Sequence, residues 1–144
     1  MASTIVYFRV VELIRGRDVV AYILYRMGCT HPFTVSRVAA LAELSYMSLN
    51  GERLSDLVYA AGPGVFYIEG FKEMIDADAC FKKHEGDPSV KRRGCIEYTC
   101  PPPSLPEEAA RLLDEAIEKA RGLDDLTLNS MVVAHPLYMR LTAR

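Results

Sequence analysis

The 144-residue sequence predicts a mostly α (α+β) fold: a compact single helical domain over residues 1–144, with a small antiparallel β-hairpin element around residues 65–100. Three observations support this fold class. Apolar stretches that end at glycines fill the N-terminal half, a strongly amphipathic stretch follows residue 104, and turn and strand residues lie between these regions. A chain of this length can bury one sizeable core.

The first stretch, residues 4–16, favours a mostly buried helix. Its polar residues Arg9, Glu12 and Arg15 are spaced three apart in otherwise apolar sequence, as expected of one narrow solvent-facing stripe. The content of β-branched residues leaves a strand as the alternative. Because charges interrupt the apolar stretch, it does not resemble a signal peptide.

Two helices are predicted to follow. Asp18 is expected to cap a helix that ends at Gly28, and Arg26 is the only charge in its sequence, so this helix should be central in the core. Thr34 is expected to cap a long helix that stops at Gly51, because glycine adopts the left-handed conformation that ends helices.

The segment after Gly51 is predicted to change from helical to extended structure. A shorter helix over residues 52–62 is closed by Gly62, since the Gly-Pro-Gly run that begins there cannot continue a helix. Residues 65–68, Val-Phe-Tyr-Ile, have strand chemistry. Residues 72–79 are expected to supply one or two helical turns.

The C-terminal region carries the clearest local signal in the sequence. Ser104 and Glu107 have the spacing of a capping box. Acidic residues at the start of the following helix and basic residues at its end agree with the helix dipole. The predicted buried face consists of Ala109, Leu112, Leu113, Ala116, Ile117 and Ala120. Asp124 or Asp125 is expected to cap a last helix over residues 126–135.

A hairpin is predicted around a loop at residues 86–89. In this register Cys80 faces Cys95, and facing Cβ atoms in an antiparallel pair lie about 4.5–5.5 Å apart, so a Cys80–Cys95 disulfide can form. A zinc site is one alternative, with the ligands Cys80, His84, Cys95 and Cys100. This zinc site requires a bent strand, since Cys95 and Cys100 are five residues apart and would point to opposite faces of a regular strand. Free thiols are the other alternative.

Charge is unevenly distributed along a chain whose net charge is only −2. Residues 80–95 carry five basic against two acidic residues, and residues 104–125 carry three basic against seven acidic residues. The two regions can therefore contact each other within one chain or between the copies of a homodimer. The hairpin cations are also candidate phosphate contacts of a winged-helix-like DNA-binding regulator: Lys82, Lys83, Lys91, Arg92 and Arg93.

One interpretation competes with DNA binding, and one observation argues against it. A charged hairpin is often only a solvated arm that keeps a strand edge from pairing with other chains. In addition, the helix expected after Thr34 offers only Arg37 and Glu43 as charged residues, whereas a recognition helix presents several donors to base edges.

No pattern typical of catalysis is found in the sequence. His31, His84 and His135 lie in unrelated contexts, and no Ser or Cys lies in a nucleophile elbow. We therefore expect no enzyme activity, no cofactor and no membrane association, and a cytoplasmic location. The absence of Gln and the presence of only two Asn residues favour a thermophilic source, in which intracellular disulfides occur.

The C-terminal half carries a recognisable pattern. Leu113-Asp114-Glu115, Ile117 and Lys119 lie on one helix, and a short turn leads to residues 126–135, which end at His135. In the middle of the chain, a helix with a Leu/Tyr face is followed by a glycine turn and a Gly-Pro entry to an extended segment, at Leu41, Tyr46, Gly51, Gly62 and Pro63. This layout resembles the Panacea domain, an antitoxin-like domain first noticed in phage-associated proteins.

The resemblance implies a mostly α domain that binds a partner protein, typically a toxin encoded nearby, without catalysis or a cofactor. We therefore predict a non-catalytic protein-interaction module that acts as an antitoxin or adaptor. An apolar patch with a charged rim is sufficient for such binding. The candidate contact residues are Phe66, Tyr67, Leu137 and Tyr138, with core or edge positions as the alternative interpretation.

Overall fold

The computed structural model describes residues 12–62 and 65–143, which form six α-helices and two antiparallel pairs of strands. The helices are α1 (Gly16–Met27), α2 (Pro32–Asn50), α3 (Phe71–Asp76), α4 (Glu107–Ala120), α5 (Asp125–Val133) and α6 (Tyr138–Thr142). The strands are β1 (Tyr59–Gly62), β2 (Val65–Ile68), β3 (Phe81–His84) and β4 (Cys95–Tyr98). The predicted fold class is confirmed. None of the helices in these ranges is long and apolar enough to cross a membrane.

Helix α2 is the centre of the fold. Every residue from Val35 to Leu44 is buried, because α1, α4 and α5 all pack around this helix. A helix buried on all sides is expected to be apolar all round, and the buried stretch of α2 meets this expectation except at Ser36, Arg37 and Glu43. The two buried charges, Arg37 and Glu43, form hydrogen bonds with residues of other parts of the chain.

The beginning of the chain only partly overlaps the described residues. The helix or strand predicted for residues 4–16 lies mostly outside them, and Ile14 forms an isolated parallel bridge with Ser55. Helix α1 ends at Gly28 as predicted, but it begins at Gly16, so that Asp18 lies in its first turn and does not cap it.

The start of α2 also differs from the prediction, while its end agrees with it. His31 is the N-cap in place of Thr34, and its Nδ1 accepts a hydrogen bond from the backbone N of Phe33 at 3.1 Å. At the other end, Gly51 has φ of 71°, the left-handed conformation that favours glycine.

Helices α4 and α5 confirm the C-terminal prediction. The buried face of α4 contains the predicted residues, Ala109, Leu112, Leu113, Ala116, Ile117 and Ala120. The capping box is absent, since Pro106 is the N-cap and no side chain caps the helix. Asp124 caps α5 by accepting a hydrogen bond from the backbone N of Thr127 at 2.7 Å. Helix α6 was not predicted.

Residues 52–62 do not form the predicted helix: a loop anchored by Glu43 on α2 leads into strand β1, which pairs with β2. The Glu43 carboxylate, 1% exposed, accepts hydrogen bonds from Leu54 N and Ser55 N, and from Ser55 Oγ at 2.7 Å. It also pairs with Arg53 Nη2 at 2.7 Å. These contacts hold residues 53–55 in a loop on the surface of α2, and this loop leads directly into β1.

Strand β2 occupies the predicted residues 65–68 and pairs with β1 in a tight hairpin, with Tyr59 opposite Ile68. Helix α3 supplies the helical turns predicted after it. The β-structure therefore begins earlier than predicted and consists of two separate hairpins, β1–β2 and β3–β4.

The β3–β4 hairpin has a different register from the predicted one. His84 faces Cys95 and Lys83 faces Ile96, because the turn lies at Pro88–Val90, later in the chain than predicted. In consequence Cys80 lies near Cys100 and forms a disulfide with it, while Cys95 is bonded to Cys29. The predicted Cys80–Cys95 disulfide is therefore wrong.

Close backbone contact holds the outer part of this hairpin together. A Cβ atom on Gly86 would lie 2.8 Å from both Arg92 O and Gly94 N, so only glycine fits at this position. Beyond it, Asp87 and Arg92 pair through two backbone hydrogen bonds of 2.8 and 2.9 Å. The hairpin is therefore an ordered element up to its turn.

The buried carboxylate of Glu43 generates the first prediction. Glu43→Ala leaves Arg53, Ser55 and the loop backbone without their shared acceptor, so we expect a loss of about 3–5 kcal/mol in the free energy of unfolding. The matched control is Glu115→Ala, which removes an exposed pair with Arg111 at 3.0 Å and should cost about 0.3–0.5 kcal/mol. Urea denaturation measures both values, and equal losses would contradict the proposed role of Glu43.

The disulfide pattern generates the second prediction. The bonded cysteines are 66 and 20 residues apart, and closing longer loops stabilises the folded state more. Replacing Cys29 and Cys95 together with Ser should cost about 4 kcal/mol, and replacing Cys80 and Cys100 about 3 kcal/mol. Denaturation measures the losses, and a non-reducing peptide map tests the pairing. A fragment that joins Cys80 to Cys95 would show that the observed pairing is incorrect.

Candidate functional site

The base of the β3–β4 hairpin is fastened to the helices at several points. Thr30 forms two backbone hydrogen bonds with Ile96, of 3.1 and 2.9 Å. Arg17 on α1 pairs with Asp78 at 2.7 Å, just before β3, and this guanidinium lowers the pKa of Asp78. With the disulfide between Cys29 and Cys95, these contacts place the hairpin beside the N-terminal end of α2.

The five predicted nucleic-acid contacts are not equivalent in the structure. Lys83 pairs with Asp76, and Arg93 Nη1 pairs with Asp125 Oδ2 at 2.6 Å. The second pair joins the basic hairpin to the acidic C-terminal region within one chain, one of the two arrangements expected from the charge distribution. Within residues 12–62 and 65–143, the other three form no ion pair: Lys82, Lys91 and Arg92.

A cationic cleft of about 960 Å³ lies between the hairpin and the start of α2. Burial, followed by the charge of Arg93, lowers the pKa of His31 in this cleft, so His31 is neutral at pH 7. His84 Nε2 lies 3.0 Å from Glu97 Oε1. The lining residues are Cys29, Thr30, His31, Thr34, Lys83, His84, Glu85, Arg92, Arg93, Gly94, Cys95 and Glu97.

The four predicted partner-contacting residues lie at different depths. Tyr67 is 55% exposed, whereas Phe66 is 2% exposed and belongs to the core. Leu137 and Tyr138 are half-buried and pack against the same core, and the rings of Phe66 and Tyr138 are in edge contact with centroids 6.0 Å apart. Of these residues, Tyr67 is the one whose side chain projects most freely.

A groove of about 350 Å³ lies between strand β2 and the first turns of α2, and is called the α2–β2 groove here. Its lining residues are Pro32, Phe33, Ser36, Arg37, Val65, Phe66, Tyr67, Ile68 and Phe71. Alternate residues of a strand point to opposite faces, so a groove that touches four consecutive residues of β2 runs along the edge of that strand. Val65 and Tyr67 form its exposed wall.

Arg37 lies in the α2–β2 groove and is the only charged residue among those that line it. Its guanidinium carbon is 3.6 Å from the ring centroid of Phe33 and 4.1 Å from that of Phe66, which are favourable cation–π distances. Its Nη2 donates a hydrogen bond to Asn129 Oδ1 at 2.9 Å, and its Nη1 to Ser36 Oγ at 2.7 Å. Burial lowers the pKa of Arg37 below its ordinary value.

The sequence pattern did not identify Arg37 or Phe33 as site residues. The available signal was a single arginine inside the long apolar stretch of α2. Burial of a charged side chain is unfavourable unless polar groups around it replace the lost hydration. The sequence cannot show that β2, about 30 residues later, lies opposite this arginine.

The disulfides remove the ligands that the zinc alternative needs. Cys80, Cys95 and Cys100 are all oxidised, so none of them is a thiolate ligand. Among the described residues, no group of three or more His, Cys, Asp or Glu side chains is arranged to hold a metal ion.

Comparisons of the chain with protein-family models, with curated proteins and with solved structures gave no match. The resemblance to the Panacea domain therefore stays a prediction.

Proposed function

We infer that this protein is a non-catalytic protein-interaction module that binds an extended segment of a partner protein in the α2–β2 groove. The observation that carries this proposal is the outer edge of β2, which pairs with no strand of residues 12–62 and 65–143 and lies beside the α2–β2 groove. Among the described residues, β2 pairs with β1 alone, and its outward-facing side chains are Val65, 45% exposed, and Tyr67, 55% exposed.

Strand addition is the binding mode that this geometry favours. An exposed strand edge offers backbone donors and acceptors to an added strand, and nearby pockets select alternate side chains of that strand. The volume of about 350 Å³ is within the range of roughly 300–1,000 Å³ found for ligand sites. The ring of Tyr67 can cover the added segment, and tyrosine is enriched at binding hot spots.

The proposed role is that of an antitoxin or adaptor, as the resemblance to the Panacea domain suggests. An antitoxin acts by covering its toxin and needs no catalytic group of its own. The partner is then a protein encoded nearby. A homodimer that joins basic and acidic regions of two copies is less well supported, because Arg93 and Asp125 already pair within one chain.

We propose a cytoplasmic location in a cell that keeps intracellular disulfides, as hyperthermophiles do. Both observed disulfides would otherwise be reduced in the cytoplasm. The low content of amide side chains supports the same source.

The third prediction tests docking in the groove. A displayed library of seven-residue peptides is selected against the wild-type protein, and the affinity of enriched peptides is measured by fluorescence anisotropy. We expect Val65→Ser with Tyr67→Ser to weaken binding at least about tenfold, because buried aromatic contacts dominate interface energies.

The matched control for this experiment is Val58→Ser with Tyr25→Ser, which removes a similarly exposed valine and tyrosine outside the groove. These substitutions should leave the affinity unchanged. Peptides that lose affinity equally with both double variants, or a selection that yields no binding peptide, would contradict the proposed function.

Nucleic-acid binding at the hairpin is the second candidate function. It is favoured by Lys82, Lys91 and Arg92, which form no ion pair among the described residues. Of these three, Arg92 lines the cationic cleft. Phosphate contacts with such cations release counterions, so the affinity falls steeply with salt. The proposed role would be that of a DNA-binding regulator.

The fourth prediction distinguishes this candidate. If the hairpin binds duplex DNA, Lys91→Ala with Arg92→Ala should lower the slope of log affinity against log salt by roughly 1.8, or about 0.9 for each lost phosphate contact. The control is Arg111→Ala with Lys119→Ala on α4. Absence of measurable DNA binding at low salt, or equal effects of both double variants, would exclude the hairpin as the DNA contact.

A further inference from the structure

Arg37 is a buried cation that forms no ion pair with any residue of the described ranges. It is 3% exposed, and its side-chain hydrogen bonds go only to the neutral acceptors Asn129 Oδ1 and Ser36 Oγ. Buried charges in proteins are ordinarily paired with an opposite charge, because neutral partners replace only part of the lost hydration. The site is therefore electrostatically incomplete.

The nearest acidic influence on Arg37 comes from Asp125, but that carboxylate is bonded elsewhere. Its Oδ1 accepts a hydrogen bond from Thr34 Oγ1 at 2.9 Å, and its Oδ2 pairs with Arg93 at 2.6 Å. Asp125 raises the pKa of Arg37, but the opposing effect of burial is larger. Asp125 thus contributes a favourable field without supplying a direct partner.

The guanidinium also has hydrogen-bonding capacity left. Arginine carries five N–H groups, and three of them bond to Asn129 and Ser36. The remaining two, one on each Nη atom, have no acceptor among the described residues. A carboxylate has two oxygens that can accept from these N–H groups, and such charge-assisted bonds are stronger than neutral ones.

The geometry points to a carboxylate as the missing partner: the α2–β2 groove selects an extended peptide segment that places one Asp or Glu side chain against Arg37. This inference rests on the proposed docking function. None of the described residues that line the groove is acidic, so none of them competes with the incoming charge. On a strand added to β2, alternate side chains point toward the groove floor, and one acidic position is sufficient.

The test uses the heptapeptides selected against the wild-type protein. We expect the enriched sequences to share Asp or Glu at one fixed position. A synthetic peptide with Gln in place of that Glu should bind roughly tenfold more weakly or worse, as expected for one lost charge-assisted interaction. The Nε–H resonance of Arg37 in ¹⁵N-labelled protein should shift with the Glu peptide and not with the Gln peptide.

A protein variant provides the complementary measurement. Arg37→Met removes the charge and the guanidinium that lies over Phe33 and Phe66, and leaves a shorter, unbranched apolar side chain. It should bind the Glu and Gln peptides with equal affinity. Should this variant fail to fold by circular dichroism, the comparison of the two peptides on the wild-type protein still decides the question.

The outcomes separate this inference from the proposed function. Affinities of the Glu and Gln peptides within threefold of each other overturn the carboxylate proposal and leave groove docking intact. Absence of any selected peptide overturns the docking function itself. A dimer mass in light scattering that becomes monomeric with Arg37→Met also overturns the inference, because the occupant would then be a second copy of the chain.

Discussion

The burial of two charges on the central helix is the constraint on which the rest of the structure depends. Helix α2 packs against α1, α4 and α5, and Arg37 and Glu43 on it are only 3% and 1% exposed. Desolvated charges require polar partners. Glu43 obtains them from the loop before β1, which fixes where the first hairpin begins. Among the described residues, Arg37 has only neutral hydrogen-bond partners, and two of its N–H groups have no acceptor there.

The predictable parts of the fold are those that local sequence determines. The buried face of α4 follows from its 3.6-residue periodicity, and Gly51 stops α2 because of its own conformational freedom. Strand β1 was missed because the loop before it is anchored by Glu43, which lies 11 residues before Leu54. No local pattern encodes that contact.

The same distinction applies to the candidate site. The sequence predicted Tyr67 and the hairpin cations as candidate contacts from their residue types, but it could not separate Lys91 and Arg92 from Lys83 and Arg93, whose acidic partners lie on other elements. The cysteine pairing failed for a related reason, since a shift of the turn to Pro88–Val90 changes every facing pair of the hairpin. The candidate site therefore depends on contacts between residues that are distant in sequence, and local patterns do not predict those contacts.

The two disulfides have overlapping spans, since Cys80 lies inside the loop closed by Cys29 and Cys95, while Cys100 lies outside it. Cleavage of any single peptide bond between residues 29 and 100 therefore leaves both fragments covalently joined. A protease that nicks an exposed segment in this region cannot by itself release a piece of the molecule. The oxidised chain thus keeps the groove and the hairpin in one covalent body after such damage.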